Sequence, residues 1–575
     1  MGPTGFMNAI QRNPCLVLVS IGLFYAALVL ATLYPYGNMV DECQHFILGD
    51  MYFKFWTTMN RDYLNFTTGN PVLLESRFAT SERIGVLVER SVNYPQFPTT
   101  LASATSYILH DSLGLMDEVD GHHAILALFG FACVVAVGLL ALSEYGLGTA
   151  VLSQIVLILF IPFFGFVHGD IKDAPVACFY PLAAFLVLRA LKRRDWGSVA
   201  LAGTCFGLGL AMRPNIAFLL VVAAAWLFAA LLAGKNRLQT IKREATLRNA
   251  AKLGAGAAFA LAAFVAAWPY LIFDPLNRLL GHVAYFTNFT TNADVLFFGQ
   301  YYRADSMPLY YASLQLALVT PPFLLALCLI GIAFAVKRMF ERKVDASTFF
   351  MLWLAITLLR VSNPYSVVYG GIRLFVEAIP AMALLSGFGC YSLYRWLAAR
   401  RKMILGVPAR HVFFALLAAG LAFTLAELLW CHPFEAVYYS PIAQLASGPL
   451  GPGVENNFVI RAGNYYRIGA LWLNENAEPN ATLVLPDERV LCTVAPYLRS
   501  DIRIQADASQ DSLAVGAEGN QPGARYFIAP ASPAAMPGTG GQANGLGWYL
   551  ATHKPVKTFG YDGITAIYLY KANGN

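Results

Sequence analysis

Residues 15–46 read CLVLVSIGLFYAALVLATLY PYGNMV DECQHF. The first twenty are long and apolar enough to cross a bilayer, because a helix rising about 1.5 Å per residue needs roughly 20 of them for a hydrocarbon layer about 30 Å thick. Six residues further on come two adjacent carboxylates, Asp41 and Glu42, with His45 one helical turn beyond Asp41. The apolar stretch is too long for a secretory signal and no small-residue cleavage site follows it, so it reads as a retained helix. The chain therefore opens with a span that delivers acid and imidazole to one membrane surface.

Composition extends this reading to the whole chain. Of 575 residues, 57% are hydrophobic, 14% aromatic and only 13% charged, where a soluble globule carries about 25% charged positions. Eleven apolar stretches of spanning character fall at about 15–34, 123–142, 148–167, 175–191, 197–212, 216–233, 253–273, 313–336, 347–361, 372–394 and 412–430. The expected fold is mainly α, a polytopic membrane helix bundle of about eleven spans. Forty Lys and Arg against thirty-four Asp and Glu leave a spread-out net charge of +6. Nucleic-acid binding needs a concentrated basic stripe and is set aside. The nine cysteines form no CxxC pair, so zinc knuckles and thioredoxin-like chemistry find no support.

Basic residues mark alternate connections: Lys192, Arg193 and Arg194; Lys235, Arg237, Lys242, Arg243 and Arg248; Lys337, Arg338, Arg342 and Lys343; and Arg395, Arg400, Arg401, Lys402 and Arg410. The positive-inside bias puts these in the cytoplasm. The long first loop, 35–121, and everything after Leu429 then lie outside, which divides the chain into a transmembrane part, 1–430, and an outer part, 431–575. The outer part carries Arg461, Arg467, Glu475, Asp487, Glu488 and Arg489 among short β-type runs such as 482–485 and 565–570, and reads as a small α/β domain. Its Gly-, Ala-, Ser- and Pro-rich middle, about 506–545, reads as a loop. Asn-x-Thr triplets at Asn65, Asn288 and Asn480 are sugar acceptors only in a eukaryotic lumen.

Ionisable groups near membrane depth are costly and mark function. Asp41 and Glu42 are candidates for a general base, with His45 beside them, although a carboxylate pair at a helix exit is also simply a solvated one. A tight turn, His168-Gly169-Asp170-Ile171-Lys172-Asp173-Ala174-Pro175, places imidazole, acids and a lysine on the same side. Arg213, Arg303 and Arg373 stand near outer helix ends, where a planar guanidinium suits a phosphate in two-point contact but also serves as a snorkelling anchor. Tyr94-Pro95 belongs to a loop segment of aromatic and proline residues suited to the interface plane.

These elements together resemble the C-type (GT-C) glycosyltransferases that use polyprenyl-phosphate sugars, and in particular the bacterial branch similar to dolichyl-phosphate-mannose protein mannosyltransferases and lipid A aminoarabinose transferase. The resemblance is carried by Asp41-Glu42 with His45, Tyr94-Pro95, the 168–175 turn, Arg213-Pro214, Phe297-Phe298-Gly299-Gln300, Pro308-Leu309-Tyr310-Tyr311, Thr320-Pro321-Pro322 and Gly370-Gly371-Ile372-Arg373. Further on it continues in His432-Pro433-Phe434, Tyr438-Tyr439, Trp548-Tyr549-Leu550 and His553-Lys554-Pro555. Lys172 and Asp173 depart from the mannosyltransferase arrangement, and Leu309 stands where the family usually has Trp.

The resemblance implies an inverting transfer of a sugar from a polyprenyl-phosphate donor to a protein, lipid or glycan hydroxyl outside a bacterial inner membrane. Asp41 would act as base with Glu42 and His45 in support. Lys172 and Arg373, then Arg213 and Arg303, would hold the donor phosphate. His168, Asp170 and Asp173 would form a second polar loop, and Tyr94 and Pro95 a substrate loop. No cofactor is obligatory on this reading. A divalent Mg or Mn ion between Asp41 and Asp170 or Asp173 is the metal option. The alternative function is a multi-span transporter or flippase, which would gather its charges near the bilayer midplane.

Overall fold

The computed structural model describes residues 13–234, 246–291, 294–298, 300–400, 403–404, 406–443, 463–485, 488–506, 524–530, 553–561 and 564–572. Lys235, Arg237, Lys242, Arg243, Gly299, Arg401, Lys402, Arg461, Asp487, Trp548-Tyr549-Leu550 and most of 506–545 lie outside the described residues, as does the side chain of Arg489.

The chain is a polytopic, mainly helical membrane protein. Seven helices among the described residues are long and apolar enough to span: Pro14–Ala31, Glu118–Tyr145, Ala174–Arg193, Pro214–Ala233, Leu247–Ala267, Pro322–Phe340 and Ala409–Cys431. The expected span at 148–167 is a broken one, Leu147–Ile158 and Ile161–Gly169, bent by 66°. Pro162, in the first turn of the second half, cannot donate to the preceding turn and so ends the first half there. Trp196–Leu210 and Ala346–Val361 are apolar but shorter. Ala378–Arg400, the helix at the expected 372–394 span, includes Ser386, Tyr391, Ser392, Tyr394 and Arg395 and is less apolar. Each of the eleven expected stretches thus overlaps a helix, while seven, or eight with the bent pair, qualify as spans by length and composition.

Helix contact depends on small residues where backbones approach. A Cβ on Gly331 would come within 2.0 Å of the Leu385 carbonyl, and one on Gly389 within 2.6 Å of the Gly331 nitrogen. Glycine at these positions lets Pro322–Phe340 and Ala378–Arg400 cross in the close manner of membrane helices.

The basic connections gather at one end of the bundle. There Lys192 pairs with Glu144 and Arg338 with Asp345 at 2.5 Å, and Trp226 Nε1 donates to the Asp345 carbonyl at 2.9 Å. The first loop, the 168–175 turn and the outer part meet at the opposite end. The loop contributes the helices Glu42–Thr58, Glu82–Ser91 and Phe97–Ser106.

Beyond residue 431 a five-stranded sheet runs in the order Arg503–Gln505, Thr482–Val484, Arg525–Pro530, Ile564–Ala572, Lys557–Tyr561. Its first three strands are parallel and the last two pair antiparallel. Helix Tyr466–Asn476 lies against it, with Gly469 seated on Ile528 and Ile567. The outer part is fastened to the first loop by a disulfide between Cys43 and Cys492. Asn38 Nδ2 donates to the Cys492 carbonyl at 3.2 Å, and Tyr497 OH donates to Asn38 Oδ1 at 3.2 Å. Arg467, 2% exposed, forks onto Asp117 at 2.5 Å and Asp120 at 2.6 Å and also donates to the Tyr36 carbonyl.

Candidate active site

Four chain segments that the sequence keeps far apart meet at the polar end. Asp41 caps helix Glu42–Thr58, Lys172 and Asp173 lie in the turn before helix Ala174–Arg193, Arg213 follows helix Trp196–Leu210, and Arg373 sits in the short turn Gly371–Phe375. Arg373 Nη1 donates to Asp41 Oδ2 at 3.0 Å, and its Nε lies 2.9 Å from Asp173 Oδ2. Lys172 Nζ approaches the same Asp41 oxygen at 3.5 Å. Arg213 pairs with Asp173 and donates to Tyr94 OH. The Tyr94 ring forms one wall, with Lys172 Nζ 4.9 Å and the Arg213 guanidinium 5.6 Å from its centre. The adjacent Pro95 is buried behind it.

Access separates these groups. The Asp41 side chain is 22% exposed and that of Lys172 16%, against 2% for Arg373 and none for Asp173. Asp41 and Lys172 therefore face outward and the other two stand behind them.

The electrostatics follow from this packing. Burial by itself would raise the Asp41 carboxyl, but the Arg373 and Lys172 charges outweigh it and hold the group below the ordinary carboxylate range. Asp170 goes the other way, raised by burial and by the Asp173 charge beside it. Its Oδ1 accepts the Asp173 and Lys172 amides at 2.7 and 3.2 Å, which fixes the turn. His45 is pushed down to about 3 by burial and then by Lys172. Its Nδ1 lies 3.2 Å from Gln96 Oε1, so the ring is neutral and donates there.

The remaining expected site residues are placed differently. Both Glu42 oxygens are engaged within the protein: Oε1 accepts the Ile171 amide at 2.8 Å, and Oε2 accepts the Met39 amide at 2.7 Å and lies 3.2 Å from His123 Nε2. His168, fully buried, is 2.8 Å from the Thr32 hydroxyl and stacks on Tyr36. Arg303 stands outside the cluster, its side chain 65% exposed and forked onto Asp305 at 3.2 and 3.0 Å.

Among the described residues no group of three or more His, Cys, Asp or Glu side chains is arranged to hold a metal ion. Asp41 and Asp173 already face three cations, Lys172, Arg373 and Arg213. The residues present do not fit a divalent cation, which would bring a further two positive charges into that cluster.

Sequence reasoning missed several groups here. Arg360 Nη2 donates to the Leu374 carbonyl at 2.6 Å and to Glu377 at 2.7 Å, and so anchors the turn that carries Arg373. Tyr36 donates to the buried Glu435, whose other oxygen lies 2.7 Å from His432 Nδ1. An arginine near the end of an apolar helix and a glutamate just after another were the available signals.

Fold and site thus define a polytopic membrane protein with a carboxylate-guanidinium-lysine cluster at one end of its spans. Residues 106–270 match the protein family described as Dolichyl-phosphate-mannose-protein mannosyltransferase. No curated protein sequence matches the chain. Among solved structures it is similar to ArnT from Cupriavidus metallidurans in the apo state, with 13% identity, a TM-score of 0.49 and 99% of this chain covering 98% of that one. ArnT bound to undecaprenyl phosphate gives 13%, 0.48, 99% and 98%. The archaeal oligosaccharyltransferase AglB from Archaeoglobus fulgidus, in complex with an inhibitory peptide and a dolichol-phosphate, gives 13%, 0.47, 91% and 70%. The site's chemistry is argued below from its own residues and the matched segment.

Proposed function

We propose that this chain is an integral-membrane inverting glycosyltransferase that moves a sugar from a polyprenyl-phosphate donor to an acceptor hydroxyl. The family match over 106–270 supports the transferase class, since that segment includes Asp170, Lys172, Asp173 and Arg213. The observation that carries the reading is Asp41, one outward-facing carboxylate held between Lys172 and Arg373.

The acceptor oxygen attacks the anomeric carbon, its proton passes to Asp41, and the carbon-oxygen bond to phosphate breaks with the electron pair leaving on the phosphate. A positioned base contributes about 10² to 10⁴ in rate. Lys172 and Arg373 stabilise the charge that develops on the leaving phosphate. A donor phosphate competes with Asp41 for these two cations, so donor binding loosens their hold on the carboxylate and makes it a stronger base. Arg213 and Tyr94 hold the Asp173 side of the cluster. Arg303 is assigned no part in it, and no metal is assigned between Asp41 and Asp170 or Asp173.

The proposed boundary between membrane and outer parts falls near residue 430, with the outer part over the acceptor side. The Cys43–Cys492 bond supports an oxidising compartment for both loops, and the basic opposite end supports a cytoplasmic location there. The proposed setting is a bacterial inner membrane with an extracytoplasmic site. The cluster lies at the ends of spans and not at their midpoints, which favours transfer over transport.

The test is purified protein in nanodiscs supplied with polyprenyl-phosphate sugars, scored for release of polyprenyl phosphate, with mass spectrometry of envelope glycans from a strain lacking the chain to identify the acceptor. Movement of intact lipid-linked sugar across vesicles without release would replace this function with transport.

A further inference from the structure

Behind the Asp41–Lys172 pair stands a second hydrogen-bonded group that the transfer chemistry leaves unexplained. Glu42 is 1% exposed and His123 fully buried. A carboxylate can only accept, so the His123 proton sits on Nε2 and points at Glu42 Oε2, 3.2 Å away. His123 Nδ1 has no partner among the described residues.

Three segments meet on this carboxylate: the turn ending at Asp41 through the Met39 amide, the 170–173 turn through the Ile171 amide, and helix Glu118–Tyr145 through His123. Ile171 immediately precedes Lys172, and Met39 is two residues before Asp41. A rotation of Glu42 therefore shifts both members of the outward-facing pair. Two of the three donors are backbone amides, and His123 is the only donor among them that belongs to a side chain. Its helix is itself held in place, by Asp117 and Asp120 on Arg467 and by His122 Nε2 at 3.4 Å from Asp50.

We propose that His123 is a positioning residue of the transfer site, acting through Glu42 to hold the Ile171 amide and hence Lys172 against Asp41. The link to donor binding rests on the proposed phosphate role of Lys172. The link to the turn's geometry does not.

The substitutions His123→Gln, His123→Asn and His123→Leu separate the possibilities. A glutamine amide N–H reaches about where Nε2 lies, an asparagine amide only as far as Nδ1, and leucine offers no donor. Two readouts are taken on the full chain in nanodiscs: amide hydrogen exchange of the peptide covering 165–175 without ligand, and binding of undecaprenyl phosphate by native mass spectrometry. With Asn and Leu, exchange at 165–175 should quicken and undecaprenyl phosphate binding weaken by about tenfold or more, the weight of one hydrogen bond to a charged group. Gln should stay within about threefold of wild type, and exchange elsewhere should not move.

Exchange at 165–175 that is unchanged in all three variants overturns the proposal. So does exchange that rises throughout the bundle to the same degree in all three, because His123 would then serve stability alone. Should Leu fail to fold, Glu42→Gln removes an acceptor oxygen while keeping shape. Unchanged exchange at 165–175 in that variant overturns the proposal equally. If wild type binds no undecaprenyl phosphate but exchange still ranks Gln below Asn and Leu, the positioning role holds and the donor reading fails.

Discussion

Asp41→Asn removes a proton acceptor and a charge while keeping the shape of the side chain. The structural cost is small because Arg373 retains Asp173 at 2.9 Å and Lys172 can turn to solvent from a side chain already 16% exposed. A half-exposed charge-assisted contact of this kind is worth about 1 kcal/mol. The catalytic cost is larger. Loss of a positioned base lowers the rate by about 10² to 10⁴, which is about 2.7 to 5.4 kcal/mol at roughly 1.36 kcal/mol per decade. The two effects also separate in kinetics. With Asp41 neutral, Lys172 and Arg373 lose a competitor for the donor phosphate, so the donor KM should stay level or fall while kcat collapses. The assay is release of polyprenyl phosphate by purified protein in nanodiscs across donor concentrations, with thermal unfolding as control. Turnover within about threefold of wild type, or a donor KM that rises while kcat holds, would refute the assignment of Asp41 as base.

Because Arg373 and Lys172 hold Asp41 below its ordinary value, kcat/KM should show no acid limb from this group until the pH falls below about 4. Lys172→Met removes one lowering charge and should move that limb upward as well as weaken donor use, and an unmoved limb with unchanged kinetics would return Lys172 to a surface role. Arg467→Leu leaves Asp120 buried without its cation, a loss of about 3 kcal/mol for a broken buried pair, so the outer part should become protease-sensitive and acceptor use fall before donor binding does. Arg303→Ala should leave kcat/KM within about twofold, since an exposed ion pair carries about 0 to 1 kcal/mol. Transfer should survive chelation by EDTA, and loss that magnesium or manganese restores would place a cation among Asp41, Asp170 and Asp173 after all.

Much of this architecture was legible because membranes punish polar residues. Asp41, Lys172, Arg213 and Arg373 each interrupt an apolar run at its outer end, and interruptions on one side of a bundle are brought together by the spans themselves. Arg303 met the same criterion and failed because Asp305, two residues away, offers a local partner at the surface. Glu42 looked like a second catalytic acid because it adjoins Asp41, yet neighbours on a helix point in different directions. The contacts of Arg467 with Asp117 and Asp120 left no trace in spacing, since nothing local ties a residue after the last span to the start of the second. The cysteine pair was invisible for the same reason. Search by short motif finds cysteines a few residues apart, and these two are 449 apart.

That interval has a consequence for how the protein is made. In the proposed orientation Cys43 reaches the exterior almost first and Cys492 almost last, and at about 5 to 20 residues per second the ribosome needs roughly 20 to 90 s to synthesise what lies between them. Throughout that time the Cys43 thiol, two residues from Asp41, stands without its mate while other cysteines of the chain pass through the membrane. A thiol oxidase acting early would find only wrong partners, so correct closure depends on a proofreading step that reopens premature bonds. The bond closes only when nearly the whole chain has been delivered, and so it ties the catalytic loop to the completion of biogenesis.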